Sequence, residues 1–305
     1  MRPWAYFLNQ VELLALVSER ADGLDDLLRA GMQIGRTRLG LRDDGGPETD
    51  EREQDRNRFL VAQAEVLLHH AAETLLRLYL AHEAKAPCPW LEIAETRSFR
   101  EFKKAVRGLA SDLDGGRERS GLMRTFFIHD DPDAFQTEPR LTQEQWDERQ
   151  RNISSWLAWF ASYFLDANVY NAAKHGLAVI AGDSGIQLGW LSDPSAILGR
   201  RGPSLIYVEE VRGRDGPEWR RTMKWINLET HLLAIFVACN FMRAIMAAGA
   251  AVRGGSPPRR LMSLSRPTLG EVLDRDVPAS GVAIASAHIG MAYLLDRRPA
   301  GKRQR

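Results

Sequence analysis

Glu65, His69, Glu73 and Arg77 recur at intervals of four within the apolar run from Phe59 to Leu80. On a helix, residues at that spacing stack along one side. His70 stands next to this stripe. Charged groups are seldom enclosed unpaired, because desolvation costs several kcal/mol per ion. Two arrangements meet that constraint. Glu65–His69 and Glu73–Arg77 can be structural pairs along a bundle seam, or the stripe can line a cleft where His69 or His70 exchanges protons. A second polar group closes the segment NVYNAAKHG, where Asn168, Asn171 and His175 share a helix face. Lys174 and His175 would occupy the last turn, where cations complement the helix dipole, so they can act simply as a C-terminal cap. The chemical alternative is a patch that binds phosphate or ribose and transfers a proton near neutral pH. The candidate catalytic residues are then His175, His69 and Glu73. Asn168, Asn171, Lys174, Arg77 and His70 form the substrate-binding set.

A long helix carrying H-x-x-x-E (His69 to Glu73), together with a later helix ending in YNAAKHG, resembles parts of the HEPN superfamily over about residues 51–250. The resemblance implies a helical bundle, often dimeric, of a kind that includes RNases and RNA-binding modules of bacterial toxin, defence and stress systems. The family's catalytic motif is an arginine followed by histidine after four to six residues. Arg77 to His82 and Arg124 to His129 fit that spacing. In a chain this rich in arginine, roughly two matches are expected by chance. His82 falls at the predicted end of its helix and Arg124 in a predicted loop. Where the resemblance is best, Asn168 stands six residues before His175 in place of the arginine, which removes a guanidinium suited to phosphate. The function implied is RNA association, with ribonuclease activity that needs no metal. The alternative is a non-catalytic helical interaction or dimerisation module.

Other chemistries lack their signatures. No Walker A loop, G-x-S-x-G elbow or H-E-x-x-H is present, and core helices carry no Glu-x-x-His pairs for a di-iron site. The His129–Asp130 dipeptide alone is poor evidence for a metal phosphohydrolase. No cofactor and no metal are expected. The chain has 305 residues, with 41 basic and 40 acidic groups, so no large phosphate-binding face is announced by its charge. Cys88 and Cys239 belong to no CxxC pair, and both are read as reduced, Cys239 as a core residue. Glu12 interrupts the apolar N-terminus, against a signal peptide. Asn240 and Arg243 interrupt Leu232–Val252, which reads as a buried helix and not a membrane anchor. A cytoplasmic protein with no membrane partner is expected.

These residues need helices to position them. The pattern predicts a first helix from about Val11 to Leu28, with Asn9 as N-cap and Glu12 as its capping-box partner. A second runs from about Glu51 to Glu83. Ser98 with Glu101 opens a short helix to about Leu109, and residues 111–140 read as a long loop. Thr142 with Gln145 opens an aromatic helix that continues to His175, where Gly176 stops it. After Gly176 the period changes to short strands: GLAVIAGD, IQLGWL, SLIYVEEV and EWRRTMKWI. Asp-Gly in RGRDGPE signals a hairpin. Alternation along the last strand, with Trp219, Arg221, Met223 and Trp225 against Arg220, Thr222 and Lys224, suits a sheet covered on one face. Asn227 caps a final long helix to about Ala250, and Thr268 with Glu271 opens a short one. The fold class is therefore mainly α with a small antiparallel β insertion, a long-helix bundle of the α+β type. Residues 1–254 form the bundle, with the β insertion at about 177–226. Residues 255–305 form a linker, a short helix and a basic tail.

Overall fold

The computed structural model describes residues 2–19, 32–34, 37–39, 50–86, 88–94, 98–115, 121–129, 141–174, 179–190, 193–213, 216–254, 264–273 and 286–290. The chain is mainly helical with a small antiparallel sheet, and its contacts divide it into two compact units. One unit comprises Met1–Val11, Leu67–Ala167 and Glu229–Asp276; the other comprises Glu12–Val66, Asn168–Leu228 and Val277–Arg305. The sheet has a covered apolar face of its own within the second unit.

The first unit is a helical bundle. Its elements include α1 (Pro3–Glu19), which begins in this unit, and the second half of α2 (Asp50–Glu83). They also include α3 (Pro89–Ala94), α4 (Phe99–Asp114), α5 (Leu122–Phe127) and α6 (Gln143–Leu165). Proline suits a first helical turn, so α1 starts at Pro3, and Asn9 and Glu12 lie inside it rather than at its N-cap. The part of the expected helix beyond residue 19 lies outside the described residues. Helix α2 matches its expected span. Both predicted capping boxes are formed: Ser98 with Glu101 opens α4, and Thr142 with Gln145 opens α6. Each satisfies backbone N–H groups that a helix start leaves unbonded.

The expected loop over 111–140 is corrected at two places. Helix α4 runs on to Asp114, and α5 buries Leu122, Met123, Phe126 and Phe127. Phe126 meets Phe241 edge-on at 5.2 Å, so burial orders this six-residue helix despite its polar flanks. Gly121 opens it at φ +92°, and a Cβ there would strike the Arg124 guanidinium.

The aromatic helix also differs from its expected course. Helix α6 ends at Leu165, Asp166 caps it, and α7 (Asn168–Lys174) starts afresh. Trp156, Leu157, Phe160 and Phe164 of α6 are fully buried, as an aromatic band at this spacing predicts. Helix α8 (Leu228–Gly254) completes the bundle. It is, among the described residues, the one helix long and apolar enough to cross a membrane, and 61% of its most apolar stretch is buried. Cys239 lies within it, fully buried, and burial pushes its thiol up to about 12. Both cysteines are free, with Cys88 exposed.

Residues 264–273 dock on α6 and α8. Asn152 Nδ2 and Trp156 Nε1 donate to the Leu264 and Pro267 carbonyls at 2.7 and 2.9 Å, and Thr230 reaches the Val272 carbonyl. Thr268 and Glu271 form the expected capping box of α9 (Leu269–Leu273).

The second unit contains a small hairpin, β1 (Met32–Ile34) with β2 (Thr37–Leu39), and a four-stranded antiparallel sheet. The sheet order is β3 (Val179–Trp190), β4 (Asp193–Gly213), β5 (Gly216–Trp225) and β6 (Ser286–Gly290). Val179–Asp183 and Ile186–Trp190 thus share one strand, and β4 pairs with β5 up to Gly213 opposite Gly216; Asp215 of the expected Asp-Gly turn lies outside the described residues. Strand β6 corrects the expected tail: Ser286–Gly290 pairs antiparallel with Lys224–Arg220. Residues 291–305 lie outside the described residues.

The covered face of the sheet carries Leu205 and Tyr207, packed with Val61 of α2 and Val169 and Ala172 of α7. Leu205 stands opposite Lys224, and Tyr207 opposite Thr222. The covered face of β5 is therefore the one bearing Arg220, Thr222 and Lys224.

Candidate functional site: a cationic pocket in the helical bundle

On the expected stripe, Glu65 and His69 are buried at 1% and 2% exposure. Glu65 accepts from Lys224 Nζ at 3.4 Å within the sheet-bearing unit. The His69 ring lies 5.2 Å from Phe164 and 6.4 Å from Tyr163, which itself stacks on Trp159. That is the setting of a packed core histidine. Glu73 accepts from both Nε and a terminal nitrogen of Arg77, at 2.9 and 2.8 Å, and the guanidinium covers Phe102 at 4.1 Å. Arg77 borders a cleft of only about 40 Å³, shared with Glu92 and Phe102. That space holds little more than a few waters. His70 is half-buried on α2.

Of the second predicted group, Asn168 donates its side-chain N–H to Glu209 at 2.7 Å, and Glu209 also accepts from Arg220 Nε and Thr222 Oγ1 at 2.7 and 2.6 Å. Three donors converge on one buried carboxylate, which ties α7 to β4 and β5. Asn171 and Lys174 are exposed, and the Lys174 ammonium lies 5.8 Å from the Tyr170 ring. His175, with the Gly176 stop, lies outside the described residues. The structure thus brings Glu73 and Arg77 together as a satisfied pair and commits the Asn168 amide to Glu209.

Within the sheet-bearing unit, a cavity of about 330 Å³ is bordered by Gln54, Asn57, Arg58, Asp183 and Arg201. Its charges are balanced locally, by Arg58 on Asp55 at 2.8 Å and Arg201 facing Asp183 at 3.9 Å.

A cavity of about 280 Å³ in the bundle unit has a different character. The end of α2 contributes His82, and the turn after it contributes Lys85 and leads to Pro89; α5 contributes Arg124, and the end of α8 contributes Gly249, Val252 and Arg253. No carboxylate is among the described residues that line it. Neither Lys85 nor Arg253 has a carboxylate partner among the described residues. Three permanent cations from separate elements border one concavity, which is what binds anions.

His82 sits among them. Its Nε2 is buried with no hydrogen-bond partner among the described residues, and Gly249 is so close that a Cβ there would lie 2.2 Å from His82 Cε1. Burial, and secondly the Arg253 charge, bring the imidazole from 6.5 down to about 4, so it is neutral at physiological pH. Its helix end is closed by backbone hydrogen bonds. Ala86 N–H reaches back to the Ala81 carbonyl and Lys85 N–H to that of His82, a closed C-terminal turn.

That turn places Lys85 at φ +55°, where glycine is usual. Helix α5 likewise ends on a β-branched residue in the left-handed region, Ile128 at φ +76°. Non-glycine residues held in such conformations cost on the order of 1–3 kcal/mol each and cluster at functional sites. The helix ends that bring His82 and Arg124 to the pocket are both closed this way.

Sequence reasoning met two of these residues, His82 and Arg124, but as members of separate arginine–histidine pairs. The fold instead joins the histidine of one pair to the arginine of the other. Lys85 and Arg253 had no sequence signal beyond their charge. No known family model, curated protein or solved structure matches this chain.

Proposed function

We propose that the chain is a HEPN-like, RNA-associated protein of the cytoplasm, in a bacterial stress or defence setting, that holds RNA phosphate in the pocket of Lys85, Arg124 and Arg253. The supporting observation is this convergence of three cations around a neutral, half-buried imidazole with no described carboxylate in the lining. Phosphate is the anion that such a set takes from RNA, and arginine adds fork-like donor geometry to charge. In this reading His69 and Glu73 support the bundle, and His82 replaces them as the group that meets substrate.

Binding of labelled single-stranded RNA across a salt series tests this. Each phosphate contact contributes about 0.7 to the log–log salt slope of single-strand binding. Arg124→Gln with Arg253→Gln should weaken binding and lower the slope by more than about 1. Unaltered affinity and slope in that variant would remove the assignment.

The non-catalytic interaction module is favoured by one observation, the internal pairing of Glu73 with Arg77 and the enclosure of His69. It assigns the stripe wholly to packing and predicts a concentration-dependent dimer that binds no RNA.

A further inference from the structure

We infer that the pocket takes the terminal phosphate monoester of a nucleotide or RNA end in preference to an internal phosphodiester. The inference rests on the phosphate-binding reading above and adds a substrate class to it.

Charge is the first ground. Lys85, Arg124 and Arg253 supply three positive charges to one concavity, and His82 adds none while neutral. An internal phosphodiester carries one negative charge, whereas a monoester carries about −1.5 to −2 at pH 7. The dianion meets more of the charge that the pocket concentrates, and it has three oxygens to share among separate donors, where a diester has two.

Shape is the second ground. A cavity of about 280 Å³ lies just below the range for drug-sized ligand sites, roughly 300–1,000 Å³. It accommodates about one nucleotide, whereas an internal phosphate brings a nucleotide on either side. The walls are also mixed. Pro89, Ala248 and Val252 offer apolar surface beside the cationic groups, as a sugar or base attached to the phosphate requires.

The third ground is His82. Its buried Nε2 has no partner among the described residues, and the ring lies against Gly249, where a side chain on α8 would strike it. At the pH of a phosphate monoanion, a P–OH can donate to an unprotonated imidazole nitrogen; with the other tautomer, the N–H can donate to a phosphate oxygen. An internal diester, ionised at that pH, has no P–OH to give.

The position of Lys85 makes the inference testable without loss of the fold. Glycine at φ +55° relieves strain, so Lys85→Gly should retain or raise stability while removing one cation from the pocket. The experiment compares one RNA hexamer in three forms: 5′-phosphorylated, 3′-phosphorylated and hydroxyl-ended. A nucleoside monophosphate, a dinucleoside monophosphate and inorganic phosphate serve as competitors. One phosphorylated end should bind about tenfold or more tighter than the hydroxyl-ended strand. The monophosphate should compete better than the dinucleoside, and Lys85→Gly should shrink the difference between ends without lowering the unfolding temperature. Whichever end is preferred identifies the polarity of recognition. Equal binding of all three forms, with loss in Arg124→Gln/Arg253→Gln, overturns the monoester preference and leaves RNA binding standing. No binding of any form overturns both.

Discussion

Gly249→Ala measures whether His82 is wedged against α8 at the pocket. In a helix interior, alanine is ordinarily more stable than glycine by about 1 kcal/mol. Here the new Cβ would lie 2.2 Å from His82 Cε1 and 2.7 Å from Nδ1, with the Arg253 guanidinium at 3.3 Å. Contacts that short force the imidazole or the helix to move, and such overpacking costs about 1–3 kcal/mol. The single variant should therefore lose about 1 kcal/mol on balance. With His82→Ala as background, the obstruction is gone, and the same substitution should gain up to about 1 kcal/mol. The two effects differ in sign, giving a coupling energy of about 2 kcal/mol. Urea denaturation of the four proteins supplies it, provided that the slope of stability against urea stays constant. Equal stabilisation by Gly249→Ala in both backgrounds would refute the close packing of His82 on Gly249.

The acid dependence of stability should carry a His82 component. The unfolded imidazole binds its proton near 6.5 and the folded one near 4, so protons favour the unfolded chain as pH falls between those values. Stability from this group is complete above about 6.5 and is lost toward 4, by about 1–2 kcal/mol after allowance for solvent screening of a partly exposed side chain. His82→Leu should flatten that part of the profile in urea titrations at pH 7.5 and 4.5, and an unchanged profile would count against burial of the imidazole. In the sheet, Glu209→Gln should cost about 2 kcal/mol, since a neutral amide oxygen cannot satisfy Asn168, Arg220 and Thr222 together. An unfolding temperature within error of wild type would show that those bonds are weak.

Much of the fold was legible because local chemistry and tertiary structure agree. Ser98 with Glu101, Thr142 with Gln145 and Thr268 with Glu271 place helix starts that the structure shares. The apolar interior of α2 and the hairpin pairing of β4 with β5 were equally direct. Failures occurred where long-range burial overrode local composition. Helix α5 is ordered by Phe126 on Phe241, a contact between residues far apart in sequence. Strand β6 exists through pairing with β5, and Ser286–Gly290 has no strong strand pattern of its own. The pocket was hidden for the same reason: His82, Arg124 and Arg253 come from three helices, and no spacing rule along the chain relates them. The four-residue stripe was visible because one helix carries it, yet visibility reflected helical periodicity, which core pairs and catalytic groups share.

Imidazole NMR of His82, assigned by comparison with His82→Leu and followed through a pH titration with and without a phosphorylated RNA end, tests phosphate binding at the site itself. An anion seated among Lys85, Arg124 and Arg253 favours the protonated ring, so the midpoint should rise from about 4 when the RNA is present. A midpoint that stays the same at saturating RNA would contradict phosphate binding in this pocket.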